Sequence, residues 1–287
     1  MSKTLRAASF LDKGGVGKTT STAHLATALN EQGSEVLVID LAGKQGDLAK
    51  HFGVWSEYQE EIEEDDAWPN ISTVFDDSWS TITKKLGEAA TTGLIHETGE
   101  GPDLIPAHPG LDTLDAELGN IDDAEERYSR LEDFLDTHVD PLGYDVVLID
   151  LPGLSNNICY NGLWAARNVV VPVEPGTFED EQADALREDL EKIGNNFGIE
   201  ISLALVLPNK VDTRRTLDRE YLETFDEKFR NAIAPEPVPY SQDIRYAAES
   251  GRTAFEIEEP STTADRARSA YLSASSALLD RLGDGHE

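Results

Sequence analysis

The chain has 287 residues, and its 56 Asp and Glu outnumber its 24 Lys and Arg, which gives a net charge of −32. This length predicts one large domain or two small ones. The charge excludes a generally basic protein that coats DNA or membranes, because attraction of polyanions requires positive potential, but it leaves room for a local basic patch. Dense carboxylates keep a surface hydrated in strong salt, where charges act over about 3 Å at 1 M. We therefore expect an organism with a salt-rich cytoplasm, such as a haloarchaeon.

The cysteine content and the hydropathy of the sequence exclude further classes of protein. Cys159 is the single cysteine, which excludes an intramolecular disulfide and a multi-cysteine metal site within one chain. No apolar leader follows Met1, and no run of 18 apolar residues occurs in the sequence. The expectation is a cytoplasmic protein without membrane attachment.

Short apolar runs alternate with longer amphipathic stretches along the chain. The runs that predict buried strands are residues 5–11, 36–40, 145–150, 168–173 and 202–207. Helices are predicted near residues 18–32, 124–137, 179–193, 216–232 and 262–282. This alternation predicts an α/β fold of three layers, in which a mainly parallel twisted sheet is flanked by helices.

Two segments depart from this alternation. Residues 56–66 form a run of acidic residues that we interpret as part of a solvated acidic insertion, at about 55–101, in a single domain that spans residues 1–287. Residues 235–239 read Pro-Glu-Pro-Val-Pro, which excludes a helix and predicts an extended connector.

The strongest motif is Asp12-Lys13-Gly14-Gly15-Val16-Gly17-Lys18-Thr19-Thr20, between a predicted strand and a predicted helix. Its glycines let backbone N–H groups turn inward around phosphate oxygens, and the helix N-terminus adds its positive dipole end. Lys18 is expected to reach the β- and γ-phosphates and Thr19 to ligate Mg²⁺. The common pattern, G-x-x-x-x-G-K-[ST], begins with Gly where this chain has Asp12. A second lysine, Lys13, precedes the two glycines instead.

The variant K-G-G-x-G-K-[ST] resembles the deviant Walker A box of the ParA/MinD family of dimerising ATPases. The resemblance implies a P-loop NTPase fold, ATP and Mg²⁺ as cofactors, and a nucleotide-sandwich homodimer in which Lys13 reaches the partner's phosphates. It implies that Asp40, which ends Val-Leu-Val-Ile-Asp, lies near the metal and the attacking water. Asp150, in the segment that resembles the Walker B strand, would hold Mg²⁺ through water.

The resemblance continues towards the C-terminus. Residues 238–255 resemble the C-terminal ParA signature, in which a Pro-containing turn, here at Pro239, borders the adenine and an Arg-bearing helix follows. The resemblance covers most of the chain and is weak at residues 55–101. It implies that residues 13–20, Asn209 and Pro239 bind the nucleotide.

The strand that ends at Asp40 departs from the family. ParA strands usually end in D-x-D, whose second Asp positions the hydrolytic water, but this chain has Ala42 there. Three interpretations follow: slow hydrolysis with Asp40 alone, Asp47 as a substitute, or an engineered substitution that traps ATP.

A second departure is Asn209-Lys210-Val211-Asp212, which has the form of the N-K-x-D guanine box of GTPases and follows a predicted strand. A buried carboxylate there would discriminate between bases, because an unpaired acceptor costs about 1–3 kcal/mol. The phosphate loop favours ATP, and Asn209 would then face the adenine edge. A GTPase remains an alternative.

Arginines near the C-terminal half match positions that bind DNA non-specifically in dimerised ParA proteins. The matching residues are Arg214 and Arg245, and Arg215 lies beside the first of them. Ordinary ion pairing with the many carboxylates is the alternative. The end of the chain lacks the basic amphipathic helix of MinD-type relatives, which predicts no membrane contact.

The resemblance implies a Mg²⁺- and ATP-dependent switch for plasmid or chromosome partitioning. ATP would close a homodimer that binds DNA on the nucleoid, and a ParB-like partner would stimulate slow hydrolysis and release it. A ParA-like ATPase that positions another cargo, and a nearly non-hydrolysing scaffold, are alternatives with the same residues.

Overall fold

The sheet is built from short runs of mostly branched apolar residues. The structure is a computed structural model that describes residues 3–42, 46–64, 67–176 and 180–284. In these ranges the strands are β1 (Leu5–Ser9), β2 (Val36–Asp40), β3 (His96–Glu97), β4 (Asp103–Ile105), β5 (Val146–Asp150), β6 (Asn168–Val173) and β7 (Ser202–Pro208). They form one sheet in the order β3-β4-β2-β5-β1-β6-β7. The pairs are parallel, except that β3 pairs antiparallel with β4.

Helices connect and cover these strands. In chain order they are α1 (Lys18–Glu31), α2 (Asp47–His51), α3 (Trp55–Glu63), α4 (Ile71–Val74), α5 (Trp79–Leu86), α6 (Ala89–Thr92), α7 (Leu111–Leu118), α8 (Ala124–Tyr128), α9 (Arg130–Phe134), α10 (Asn157–Ala166), α11 (Asp180–Phe197), α12 (Thr216–Lys228), α13 (Gln242–Glu249) and α14 (Thr262–Asp284). A π turn spans Leu135–Val139, and 3₁₀ turns span Asp140–Leu142 and Ala254–Glu256. Within the described ranges, no helix combines the length and the apolar character of a membrane span.

Two apolar cores lie on opposite faces of the sheet, because successive residues of a buried strand point to opposite faces. Ile39 and Ile149 belong to one core, with Phe134 of α9 and Leu163 of α10. The other core includes Val38 and Leu148 of the same strands, together with α1 and α14. The fold is therefore the expected three-layer α/β arrangement.

The order of the strands places β1 inside the sheet, at a point where the chain connections diverge. β1 lies between β5 and β6, which come much later in the chain. Chain connections diverge from such a point, and the crevice that this leaves outside the strand ends is where α/β sheets bind ligands. The glycine-rich loop follows β1 directly, at this crevice.

The predicted strands are confirmed, with ends within two residues of the prediction. The helix predicted at residues 124–137 is wrong as one element, since it divides at Ser129 into α8 and α9 and ends in the π turn. The π turn buries Leu135 and Val139 in the core. Packing of these side chains therefore overrides the regular helical repeat. Residue 179, the predicted start of the next helix, lies outside the described residues.

The region interpreted as an acidic insertion has regular structure. Residues 55–63 form α3, in which Tyr58 is buried while the other side chains are exposed or half-buried. Residues 65–66 lie outside the described part of the chain. The rest of the region adds Phe75, Trp79 and Ile82 to the core, so it packs on the sheet.

Helix α10 lies very close to the end of β5. A Cβ atom at Gly162 would lie 2.3 Å from Leu151 Cδ2, which is closer than packing permits. Glycine inside a helix costs about 1 kcal/mol relative to alanine, and this close approach explains why it stands here.

Candidate functional site

The loop between β1 and α1 turns through two glycines in the left-handed region. Gly15 has φ +81° and Gly17 has φ +93°, conformations that glycine adopts without a steric penalty. Gly17 is the N-cap residue of α1, so the loop ends where the N–H groups of the helix are unpaired. An anion in this loop would face backbone donors and the positive end of the helix dipole.

The side chain of Lys18 bends back towards the backbone of the loop that precedes it. Its Nζ donates to Leu11 O at 2.9 Å and to Lys13 O at 2.8 Å. Burial lowers the pKa of Lys18, while the carboxylate of Asp150 opposes that shift. The ammonium group is thus held inside the loop by two carbonyls that a ligand's phosphate oxygens could replace.

Two buried carboxylates meet beside the loop. Asp40 and Asp150 are partners in the parallel register of β2 and β5, at the carboxyl ends of both strands. Thr19 Oγ1 donates to Asp150 Oδ2 at 2.6 Å. Burial, and then the charge of Asp150, raises the pKa of Asp40. Burial also raises the pKa of Asp150, against the opposing hydrogen bond from Thr19 and the charge of Lys18.

This set of donors fits a hard divalent cation. Carboxylate and hydroxyl oxygens are the ligands that Mg²⁺ prefers, and a cation would relieve the proximity of two buried carboxylates. Across the described residues, no group of three or more His, Cys, Asp and Glu side chains could hold a metal alone.

Ala42 and Asp47, the two residues considered for positioning the hydrolytic water, both line the cavity. Ala42 N donates to Asp40 Oδ1 at 2.9 Å, and Ala42 lines the cavity. Asp47 begins α2, is 58% exposed, and forms an ion pair with Lys50 at 3.2 Å. Residues 43–45 between them lie outside the described part of the chain.

A cavity of about 1280 Å³ extends from the phosphate loop across the sheet end. Ligand sites usually span roughly 300–1,000 Å³, so this cavity has room for a nucleotide. Its far wall comprises residues 211–215, 237–241, 244–245 and 248–249. Pro239 lies in that wall and pairs with Val211 in an isolated bridge, so the proline connector borders the cavity as an extended segment.

The N-K-x-D segment contacts the phosphate loop. Asn209 Nδ2 donates to Val16 O at 3.1 Å, and Lys210 Nζ donates to Gly15 O at 2.6 Å. Lys210 also forms an ion pair with Glu174, which follows β6, at 3.0 Å. Asn209 is buried at the near edge of the cavity.

The carboxylate of Asp212 accepts hydrogen bonds from a neighbouring arginine. Arg214 donates to both its carboxylate oxygens, through Nε at 2.8 Å and Nη2 at 2.9 Å, and Arg215 Nε lies 3.6 Å away. These hydrogen bonds hold the pKa of Asp212 down, to about 2. Arg245 pairs with Glu249 at 3.2 Å. Arg214, Arg215 and Arg245 are all highly exposed and line the outer wall of the cavity.

Two histidines near the loop were missed by sequence reasoning. His51 Nε2 lies 3.2 Å from Thr20 Oγ1, and His24 Nδ1 lies 2.7 Å from Thr20 O. Neither histidine lies in a motif, so the sequence held no signal for them. Glu174 was also missed, and Lys210 was named only as part of the N-K-x-D segment, without its contact with the loop.

The fold and this site define a P-loop nucleotide-binding protein: a mainly parallel sheet, a glycine loop after the interior strand β1, a lysine whose ammonium bonds to carbonyls of the loop, and a threonine paired with an aspartate. Comparison with known proteins agrees with that class. A family described as an AAA domain matches residues 7–203, and the chain belongs to this family, within the ParA/MinD group of P-loop ATPases.

Named relatives and solved structures show the same kinship. The chromosome partitioning protein ParA of Caulobacter vibrioides is 29% identical over 235 residues, which cover 80% of this chain and 80% of that protein. The chromosome-partitioning ATPase Soj of Thermus thermophilus is 28% identical over 251 residues, with coverage of 88% and 87%. The structure of cobyrinic acid a,c-diamide synthase from Mycobacterium smegmatis, with bound ATP analog and magnesium, is similar at a TM-score of 0.71 and 25% identity, with coverage of 98% and 97%.

Proposed function

We propose that the protein is a Mg²⁺- and ATP-dependent dimerising ATPase of ParA type that serves in plasmid or chromosome partitioning. The observation that supports this most directly is the phosphate loop with two lysines, Lys13 before its glycines and Lys18 inside it, next to the Thr19–Asp150 pair. The kinship with ParA and Soj supports the partitioning role.

Each residue of the loop has a distinct task in this proposal. The backbone N–H groups of residues 14–20 bind phosphate oxygens, and Lys18 exchanges its two carbonyl partners for them. Thr19 and Asp150 would hold Mg²⁺, with Asp40 close by, and the ion would neutralise phosphate charge. Asp40 accepts a hydrogen bond from the attacking water and orients it. Lys13 stabilises charge on the nucleotide of the partner chain.

ATP is favoured over GTP by the kinship with a chromosome-partitioning ATPase. The carboxylate of Asp212, which guanine recognition would need as an acceptor, is shared with Arg214 through two exposed hydrogen bonds. The adenine then lies near Pro239 in the far wall of the cavity.

DNA binding is assigned to Arg214, Arg215 and Arg245 in the closed dimer. Their ion pairs with Asp212 and Glu249 are exposed, and exposed pairs contribute about 0–1 kcal/mol, so phosphates can displace the carboxylates at little cost. A ParB-like partner would stimulate hydrolysis, which is slow because Ala42 cannot position water. A ParA-like ATPase for another cargo would use the same residues.

The test is a size measurement in molar KCl with no nucleotide, ADP, ATP or GTP, each with and without DNA. We expect ATP to produce a dimer that retains DNA of any sequence. Lys13→Ala should bind ATP but stay monomeric, whereas Lys18→Ala should fail to bind ATP. A chain that stays monomeric with ATP, or dimerises better with GTP, contradicts the proposal.

A further inference from the structure

Two neighbouring residues that follow β7, Asn209 and Lys210, donate hydrogen bonds to carbonyl groups of the phosphate loop. Asn209 Nδ2 donates to Val16 O at 3.1 Å, and Lys210 Nζ donates to Gly15 O at 2.6 Å. The contacts join consecutive peptide groups of the loop to one dipeptide.

Peptide geometry gives the contacts a consequence for phosphate binding. A trans peptide is planar, and its C=O and N–H point in opposite directions. Fixing Gly15 O towards Lys210 therefore turns the N–H of Val16 away from Lys210. Fixing Val16 O towards Asn209 likewise turns the N–H of Gly17 away from Asn209. The two donors thus set the direction of two N–H groups that a phosphate would use.

The dipeptide is itself firmly held. Asn209 N donates to Val173 O at 2.7 Å, and Asn209 Oδ1 accepts from Lys210 N at 2.9 Å. Lys210 has φ +56°, which is uncommon for a residue other than glycine. Glu174 fixes the Lys210 ammonium from the other side, at 3.0 Å. Such unusual backbone is kept where the surrounding structure enforces it, often at functional sites.

The absence of a side chain at Gly17 leaves room for the Asn209 amide beside the loop. A Cβ atom at Gly17 would lie 2.4 Å from Asn209 Nδ2, so a larger residue would displace the asparagine from the loop. Both hydrogen-bonding ends of the Asn209 amide are used by protein groups, Val16 O and Lys210 N. The amide therefore acts on the loop, through which it affects the phosphates.

We propose that Asn209 and Lys210 are positioning residues that pre-organise the phosphate loop for nucleotide binding, and that Glu174 positions Lys210. This inference rests on the proposed nucleotide-binding function. It differs from a role of Asn209 in reading the base, because a held loop strengthens binding of any nucleotide with the same phosphates.

The experiment measures the affinity of the full chain for Mg²⁺-ATP, Mg²⁺-ADP and Mg²⁺-GTP, together with the unfolding temperature of each variant. Lys210→Met and Asn209→Ala should each weaken all three nucleotides by about tenfold, the scale of one charge-assisted or buried hydrogen bond. Glu174→Gln should weaken them by about threefold. Lys210→Arg, which can still donate to Gly15 O and Glu174, should stay within about twofold of the wild type.

A matched control is Lys192→Met, which removes an exposed lysine paired with Glu188 on α11 at 3.4 Å, far along the chain from the loop. It should leave all affinities unchanged. The proposal is overturned if Lys210→Met and Asn209→Ala lower the unfolding temperature but not the affinities, or if Asn209→Ala changes ATP and GTP binding unequally. If the wild type binds no nucleotide, the proposed function itself fails, which is a different result.

Discussion

The hydroxyl of Thr19 donates a hydrogen bond of 2.6 Å to Asp150 Oδ2, and so joins the first turn of α1 to the end of β5. A threonine and an aspartate in contact beside the phosphate loop are the oxygen donors that the proposed Mg²⁺ site requires. Their side chains come from segments 131 residues apart, and the sheet register brings them together.

We expect Thr19→Val to raise the Mg²⁺ concentration needed for ATP binding by about tenfold, since valine keeps the shape of threonine but has no oxygen ligand. The measurement is ATP affinity across a Mg²⁺ titration. Thr27→Val is the matched control, because the Thr27 hydroxyl bonds to Ala23 O within the same helix. An identical Mg²⁺ requirement for Thr19→Val and the control would contradict the assignment.

The backbone of Ala42 donates to Asp40, but its methyl group cannot orient water. Ala42→Asp should therefore speed ATP turnover by about tenfold or more, because a positioned carboxylate accepts from the attacking water. Single-turnover hydrolysis in molar KCl measures this, with Ala42→Asn as the uncharged control. An unchanged rate would mean that another residue, such as Asp47, already positions the water.

In the proposed function Asp212 would compete with DNA for Arg214, since it accepts from both Nε and Nη2 of the arginine. Asp212→Asn removes the negative charge, so it should strengthen DNA binding of the ATP-bound protein, whereas Arg214→Ala should weaken binding to all sequences alike and reduce the salt slope by about 1. Affinity measured across a salt series tests both. Arg187→Ala, on α11, is the control that should change neither quantity. Equal DNA affinity in all four proteins would leave the arginines as ordinary ion-pairing residues.

His24 is neutral in the folded protein. It is fully buried, its Nε2 accepts from Ala254 N at 3.0 Å, and burial, with a smaller effect of His51, lowers the pKa of His24 to about 3. Below pH 6.5 the unfolded chain binds a proton at this residue that the native state does not. The free energy of unfolding therefore falls as the pH falls, by about 2 kcal/mol from this residue at pH 5.

Urea denaturation of the wild type and His24→Gln at pH 8 and pH 5 measures that effect. The wild type should be the more stable protein at pH 8, because glutamine reproduces its contacts incompletely. Its advantage should shrink by about 2 kcal/mol at pH 5. An advantage of the same size at both pH values would mean that His24 is protonated in the native state.

Local sequence patterns were sufficient for the central strands and for α1. Residues 36–40 and 168–173 have the predicted ends, since continuous branched apolar runs between polar residues allow little else. α10 was not predicted, because Gly162 and several asparagines disfavour a helix locally. The helix forms there because the sheet end beside Leu151 accepts a residue without a side chain. β4, with three residues, is defined by its pairing with β2.

The candidate site, like the fold, has some features that the sequence predicted and others that it did not. The phosphate loop was identifiable from consecutive residues, because its chemistry depends on their spacing. The pairing of Asp212 with Arg214, and the contacts of Asn209 and Lys210 with the loop, were not identifiable, because they depend on side-chain directions and on segments that meet after folding. Patterns in one segment report the backbone of that segment, whereas the partners of a side chain are set by the tertiary fold.

The contacts behind the phosphate loop also have a consequence for the order of assembly. The donors that hold residues 15 and 16 lie 195 and 193 positions further along the chain, respectively. During synthesis, the loop emerges long before β7 exists. A nascent or truncated chain without β7 presents the full loop motif without these two donors. Nucleotide affinity measured on chains of increasing length would therefore show when β7 has joined the sheet.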